Sequence, residues 1–175
     1  VIQGRTRKTR LFFDDRVRFF KDLHADIKSF IVKVKKLGQK PAIRLNGLSD
    51  LPWENLDSSL FSYEEVVYYD YTKTYSRMLK FLNKELPSNY HMTFSRSENN
   101  HEKCLDILNK GGNVAVVYRN KNLPKTFFGY KVYNGDSHDL RFLDPKGINS
   151  GLICGLYAKG RAKKDTSGFV YDVNF

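Results

Sequence analysis

Cysteine is scarce in this chain. Among 175 residues only Cys104 and Cys154 carry a thiol. Two isolated thiols make neither a disulfide framework nor a zinc site, and such usage fits a reducing cytoplasm. Both are read as buried side chains that behave as small hydrophobes. Long hydrophobic runs are missing as well: no stretch approaches the roughly 20 apolar residues of a membrane span, and no apolar signal core opens the chain. No G-x-G-x-x-G, P-loop, C-x-x-C or Ser/His/Asp spacing occurs, so the sequence declares no reaction. Acidic residues are in deficit. Against 30 Lys+Arg stand 19 Asp+Glu, a net charge of +11 that makes a polyanion the default partner.

The remaining composition is that of a globular protein, 41% apolar and 28% charged, and 175 residues suit one domain over positions 1–175. The charge is unevenly placed. Residues 1–50 hold 13 Lys/Arg against 5 Asp/Glu, residues 51–100 hold 5 against 7, and residues 101–175 hold 12 against 7. Arg5, Arg7, Lys8 and Arg10 form one cluster, and Lys159, Arg161, Lys163 and Lys164 form the other. Residues 1–10 are accordingly expected to be a basic, mobile tail. The chain opens on Val1 rather than Met, which leads to the expectation of a longer gene product with an upstream segment.

Apolar residues recur at three- and four-residue steps from Asp14 to Leu37, predicting a long amphipathic helix that Gly38 ends. Strands are expected from Ala42 to Leu45, Val66 to Tyr71, Tyr90 to Phe94 and Asn113 to Tyr118. Helical faces lie between the later ones, around Tyr75–Leu82 and Cys104–Leu108. The strand starts repeat at intervals of 24, 24 and 23 residues. Such a unit implies parallel strands joined by helical crossovers. With further strands at Tyr130–Tyr133 and Leu152–Tyr157 and a short edge strand at Phe169–Val173, the expected fold is α/β, either partly closed or open as a wound sheet. The regular spacing without a Gly-rich turn favours a partial (β/α) barrel of about six mainly parallel strands, preceded by the long helix.

Parallel α/β folds place their chemistry at the carboxyl ends of the strands. Those ends supply carboxylates and an amine suited to acid–base work, namely Asp50, Asp70, Lys73, Glu98, Asp136 and Asp139. They also supply donors suited to phosphate or carboxylate: Arg44, Asn46, Ser95, Arg96, Asn99, Arg119 and Lys159. A divalent cation would fall to Asp136, Asp139 and Asp144 with Asp50 or Asp70, although no dedicated metal motif is present. Asn134-Gly135-Asp136 reads equally as a tight turn, and Ser97 or Asn99 as a cap of the Cys104 helix. His91 reads as structural, while His138 is better placed for proton transfer. Aromatic residues beside basic ones (Tyr68, Tyr69, Tyr71, Tyr75, Phe127, Phe128 and Tyr130) suit either base stacking or packing.

The strings RLNGLSDLPWE (Arg44 to Glu54), YYDYTK (Tyr68 to Lys73), NYHMTFSRSENN (Asn89 to Asn100), GGNVAVVYR (Gly111 to Arg119), NGDSHDLRFLDP (Asn134 to Pro145) and GLYAKGRAKK (Gly155 to Lys164) resemble a family of uncharacterised bacteriophage and prophage proteins. The likeness runs in order from about Arg10 to Val173. Longer relatives are similar to partial barrels of the radical S-adenosylmethionine type, which carry a cysteine-rich segment ahead of the long helix. This chain has no C-x-x-x-C-x-x-C, so the resemblance implies an iron–sulfur cluster only where such a segment precedes Val1. Two functional readings follow. One is a protein acting on nucleic acid or a nucleotide through the strand-end site, with the basic ends holding phosphates. The other is a non-catalytic basic binding or host-takeover protein whose polar loops only hold the rim together.

Overall fold

Asp15 divides the start of the chain into two helices, α1 (Ile2–Asp14) and α2 (Arg16–Lys36), and its side chain caps α2 by accepting from Arg18 N at 2.9 Å. The computed structural model describes residues 2–173, with side chains from residue 3 onward. The stretch expected to be a mobile tail is therefore helical from Ile2, and Val1 lies outside the described residues. The reason is local: no Pro or β-branched run interrupts residues 3–14, and Phe12 anchors the far end among Phe19, Phe20 and Trp53. The long second helix buries Ile27, Ile31 and Val34, as its periodicity requires, and Gly38 follows at φ 67°, a left-handed turn that favours glycine.

Among the described residues eight strands build one open sheet. They are β1 (Ala42–Ile43), β2 (Val67–Thr72), β3 (Tyr90–Ser95), β4 (Val114–Tyr118), β5 (Thr126–Phe127), β6 (Tyr130–Asn134), β7 (Ile153–Tyr157) and β8 (Val170–Tyr171). Their order is β1-β2-β3-β4-β7-β6-β5, with β8 also pairing β4. Only the β5–β6 pair is antiparallel. The regular succession that the sequence implies holds through β4. Short helix α3 (Trp53–Leu56) and a 3₁₀ turn at Ser58–Ser62 link β1 to β2, α4 (Tyr75–Leu82) links β2 to β3, and α5 (His101–Asn109) links β3 to β4.

After β4 the expected partial barrel is not formed. Among the described residues no α-helix follows β4; the chain instead makes the β5–β6 hairpin at one edge and returns as β7 between β4 and β6. The two ends of the sheet, β1 and β5, do not pair, so the sheet stays open. β8 then occupies the part of the β4 edge beyond β3. β3 pairs β4 at Val114 and Ala115, and β8 pairs it at Val117 and Tyr118.

The two faces differ in kind. Tyr68, Tyr90, Met92, Phe94, Val114, Val116, Tyr118 and Ile153 point into the main apolar core, where they meet Ile27, Ile31, Met78, Ile107 and Leu108 from the helices. By strand alternation and register, Tyr69, Tyr71, His91, Thr93, Ser95, Ala115, Val117, Tyr133, Cys154 and Leu156 take the opposite face. No α-helix among the described residues covers that side. A 3₁₀ turn, Arg141–Leu143, lies across part of it, and Phe142 packs its ring against Tyr69 at 5.5 Å and His91 at 5.9 Å. Burial and the charge of Lys146 hold the His91 imidazole below its ordinary pKa, in keeping with a packed ring.

Candidate functional site

The helix-free face carries a cleft of about 520 Å³ near the carboxyl ends of its strands. Its floor is Ser95, Ala115, Val117 and Leu156, small and apolar side chains of β3, β4 and β7. Gly135 deepens it, since a Cβ there would run into Cys154 Sγ and the Arg141 guanidinium.

Two opposing cation sets stand at its walls. On the β1–β2 side, Arg44 lies over the Tyr71 ring at 4.7 Å and donates to Asp139 at 3.2 Å. On the β7 side, Lys159 lies over the Tyr157 ring at 4.6 Å and donates to Asp136 at 2.6 Å. Lys121 approaches the same Tyr157 ring at 5.3 Å. Each set joins a cation, an aromatic face and a carboxylate. Cation–π contact and ion pairing hold the two cations at the cleft without neutralising every donor. Phe169 completes the rim, held from both sides: Lys73 lies over its ring at 4.8 Å, and Arg96 donates to the carbonyls of Gly168 and Phe169.

The loop after β6 supplies Asp136, His138 and Asp139. It starts as a side-chain turn, with Asp136 N donating to Asn134 Oδ1 at 2.9 Å, so Asn134-Gly135-Asp136 both turns the chain and presents a cleft carboxylate. Asp136 Oδ2 accepts from Tyr157 N at 2.8 Å, which ties the loop to β7. Beneath the loop, Arg141 is clamped, its side chain 1% exposed. It donates to Cys154 Sγ and to the carbonyls of Gly135 and His138, and its Nε lies 3.4 Å from Asp144. Burial raises the Asp144 carboxyl above the usual carboxylate range and pushes the Cys154 thiol up to about 11. Cys104, on the helix side, is also pushed up to about 11 by burial, so neither thiol is activated.

The structure thus gathers Arg44, Ser95, Asp136, Asp139 and Lys159 at one cleft. It sends others elsewhere. Asp70 points into the helix side, fully buried, and accepts from Asn46 N (2.7 Å), Asn46 Nδ2 (3.1 Å) and Tyr90 OH (2.6 Å). Asn46 is itself buried and spends its carbonyl on Ser49, Leu51 N and Trp53 Nε1. Asp50 caps the turn after β2, accepting from Thr72, Lys73 N and Thr74, and pairs with Arg77, which also grips Glu54 through two 2.9 Å bonds. Arg119 clasps the C-terminal segment, pairing with Asp172 and donating to Lys163 and Asp165 carbonyls. Glu98 accepts from Ser167 in an exposed position, and Asn99 is exposed. The α5 cap position falls to Asn100 instead, whose side chain bonds Ser97 N and Ser95 O.

The expected divalent-ion set is likewise dispersed. Asp136 and Asp139 are each paired to a cleft cation, Asp144 is paired to Arg141, and Asp50 and Asp70 belong to the helix-side network. Among the described residues no three His, Cys, Asp or Glu side chains come together as metal ligands. Of the candidate stacking aromatics, Tyr71 lines the cleft. Tyr68 donates to Leu60 O in the core, Tyr75 to Asp106, and Tyr130 to Asn109. Tyr157 and Phe169 were not singled out by the sequence reading; the Tyr157-x-Lys159 spacing is the local signal that marks the first of them.

Open mainly parallel sheet, helices packed on one face, polar cleft on the other: the chain is an α/β protein of one-sided layout. It belongs to the Gene product 88 family, whose model matches residues 1–173. That membership agrees with the likeness of its motifs to phage proteins. No curated protein and no solved structure matches the chain. No helix among the described residues is long and apolar enough to cross a membrane.

Proposed function

We propose that the carboxyl-end cleft binds a nucleotide unit, free or within a nucleic acid. The observation that carries this reading is the facing pair of cation–aromatic sets, Arg44–Tyr71 and Lys159–Tyr157. A nucleotide offers a flat base to the rings and an anionic phosphate to the cations, so both halves of each set would be used. The net charge of +11 supports the same class of ligand through attraction at longer range.

Binding without chemistry is the version that the cleft's ion pairs favour over an enzymic one. Asp136 and Asp139, the carboxylates there, are each neutralised by a neighbouring cation, and His138 is the remaining titratable candidate. A host-directed binding protein is therefore part of this proposal. The radical S-adenosylmethionine likeness stays a proposal about longer relatives. Cys104 and Cys154 lie on opposite faces of the sheet, so the described residues do not fit a cluster.

Calorimetric titration with nucleoside monophosphates tests the reading. Arg44→Ala and Lys159→Ala are each expected to weaken binding about tenfold, the effect of losing one charge-assisted contact. Affinity that is unchanged in both variants sinks the proposal.

A further inference from the structure

A second and larger cleft, about 980 Å³, opens between the α1–α2 hairpin and the loop after β1. Its apolar wall contains Phe12, Phe19 and Trp53, with Phe19 stacked on Trp53 at a centroid distance of 6.3 Å. Phe13 lies at the same cleft with 72% of its surface exposed. The rim is cationic, carrying Arg7, Lys8 and Arg18. Two carboxylates share it, Asp22 and Asp26, held at 3.8 Å by Arg18 and 3.9 Å by Lys8. Arg7 makes no ion pair among the described residues.

Arg44 lines both clefts, so the two sites adjoin through one guanidinium. Its Nη1 serves Asp139, while its Nη2 makes no hydrogen bond among the described residues. A cation with a donor to spare, set between two aromatic-lined clefts, offers the alternation of charge and ring that an unpaired strand presents. A mononucleotide engages one cleft only. A duplex hides its base faces, and aromatic side chains cannot stack on them without unpairing.

Resting on the nucleotide reading above, we propose that the ligand is single-stranded nucleic acid, passing from the carboxyl-end cleft across Arg44 into the hairpin cleft. Its phosphates follow Lys159, Arg44 and Arg7. Its bases rest on Tyr157 and Tyr71 in the first cleft and on the exposed Phe13 ring in the second.

Fluorescence anisotropy with labelled single strands of about 12 nucleotides, a duplex of the same length and a labelled mononucleotide tests this. The single strand is expected to bind at least about tenfold more tightly than either other probe. Arg7→Glu and Phe13→Ala, both at exposed positions away from the first cleft, are each expected to weaken strand binding about tenfold and leave mononucleotide affinity unchanged. Circular dichroism and a melting curve confirm that each variant folds. Equal affinity for strand and mononucleotide, equal affinity for strand and duplex, or strand binding indifferent to both substitutions overturns the two-cleft path. In those cases a mononucleotide response to Lys159→Ala leaves the single-cleft reading standing. Absence of saturable binding by every probe overturns both.

Discussion

Asp70 is a carboxylate sealed on the helix side of the sheet, and its surroundings pull in two directions. Burial favours the neutral acid, while three donors from Asn46 and Tyr90 favour the anion; burial prevails, and the pKa is pushed up to about 6. A folded-state pKa raised above the ordinary 3.8 means that the native state binds the proton more tightly than the unfolded chain. The stabilisation is full below pH 3.8 and is lost as pH rises through about 6. Denaturant titrations should therefore show wild-type stability falling relative to Asp70→Asn by about 2 kcal/mol between pH 4 and pH 7. A difference flat across that range refutes the assignment. The same residue shows what the sequence could not convey. In Tyr68-Tyr69-Asp70-Tyr71-Thr72 every position is aromatic or polar, so alternation does not reveal which residues face the helices. Arg44, Asp136 and Lys159 sit just beyond strand ends, where position alone brings them to a rim, and they were legible for that reason. Asp50, Asn46 and Arg119 also follow strand ends, but backbone N–H groups claim the first two for turns, and backbone carbonyls with Asp172 claim Arg119 for a clasp.

At the level of elements, periodicity was a good guide wherever a helix or strand buries one side. The strand starts expected near 42, 66, 90 and 113 fall at 42, 67, 90 and 114. The β5–β6 hairpin escaped because β5 has two residues, and its turn takes Phe128 at φ 50° before Gly129 at φ 82°. A bulky residue in the left-handed region is a cost that tertiary packing imposes, and no turn signature announces it. α1 escaped for another reason. Its residues 3–10 are exposed on all sides, so no apolar stripe marks it as a helix. Its junction with α2 depends on one side chain, Asp15. Asp15→Ala is expected to cost about 1 kcal/mol through loss of the cap, seen in calorimetry as a fall in Tm of roughly 2–4 °C. An unchanged Tm contradicts that role.

Across the whole molecule, charge and chemistry are segregated. The hairpin of α1 and α2 bears most of the excess of 13 basic over 5 acidic residues in positions 1–50, while residues 51–100, slightly acidic, build β2, α4 and β3. Like charges crowded on one hairpin repel, and salt screens them over about 8 Å at physiological ionic strength. Raising sodium chloride from about 10 mM to about 150 mM should therefore increase Tm by a few degrees, on the order of 1 kcal/mol. A Tm that falls with salt would show that the surface ion pairs outweigh the repulsion. Parallel α/β architecture was legible at this scale; openness was not, because it depends on the order in which β6 and β7 enter the sheet.

β8 carries a further implication. It joins β4 through Val170 and Tyr171 alone, yet the residue before it, Phe169, forms part of the cleft rim. So short a ladder is the kind that opens locally before central strands do, and the Arg119 clasp, with the buried Val170 side chain, is what opposes it. Phe169 thus shares its anchorage with β8, and loosening that strand would shift the rim while β2, β3, β4 and β7 stay paired.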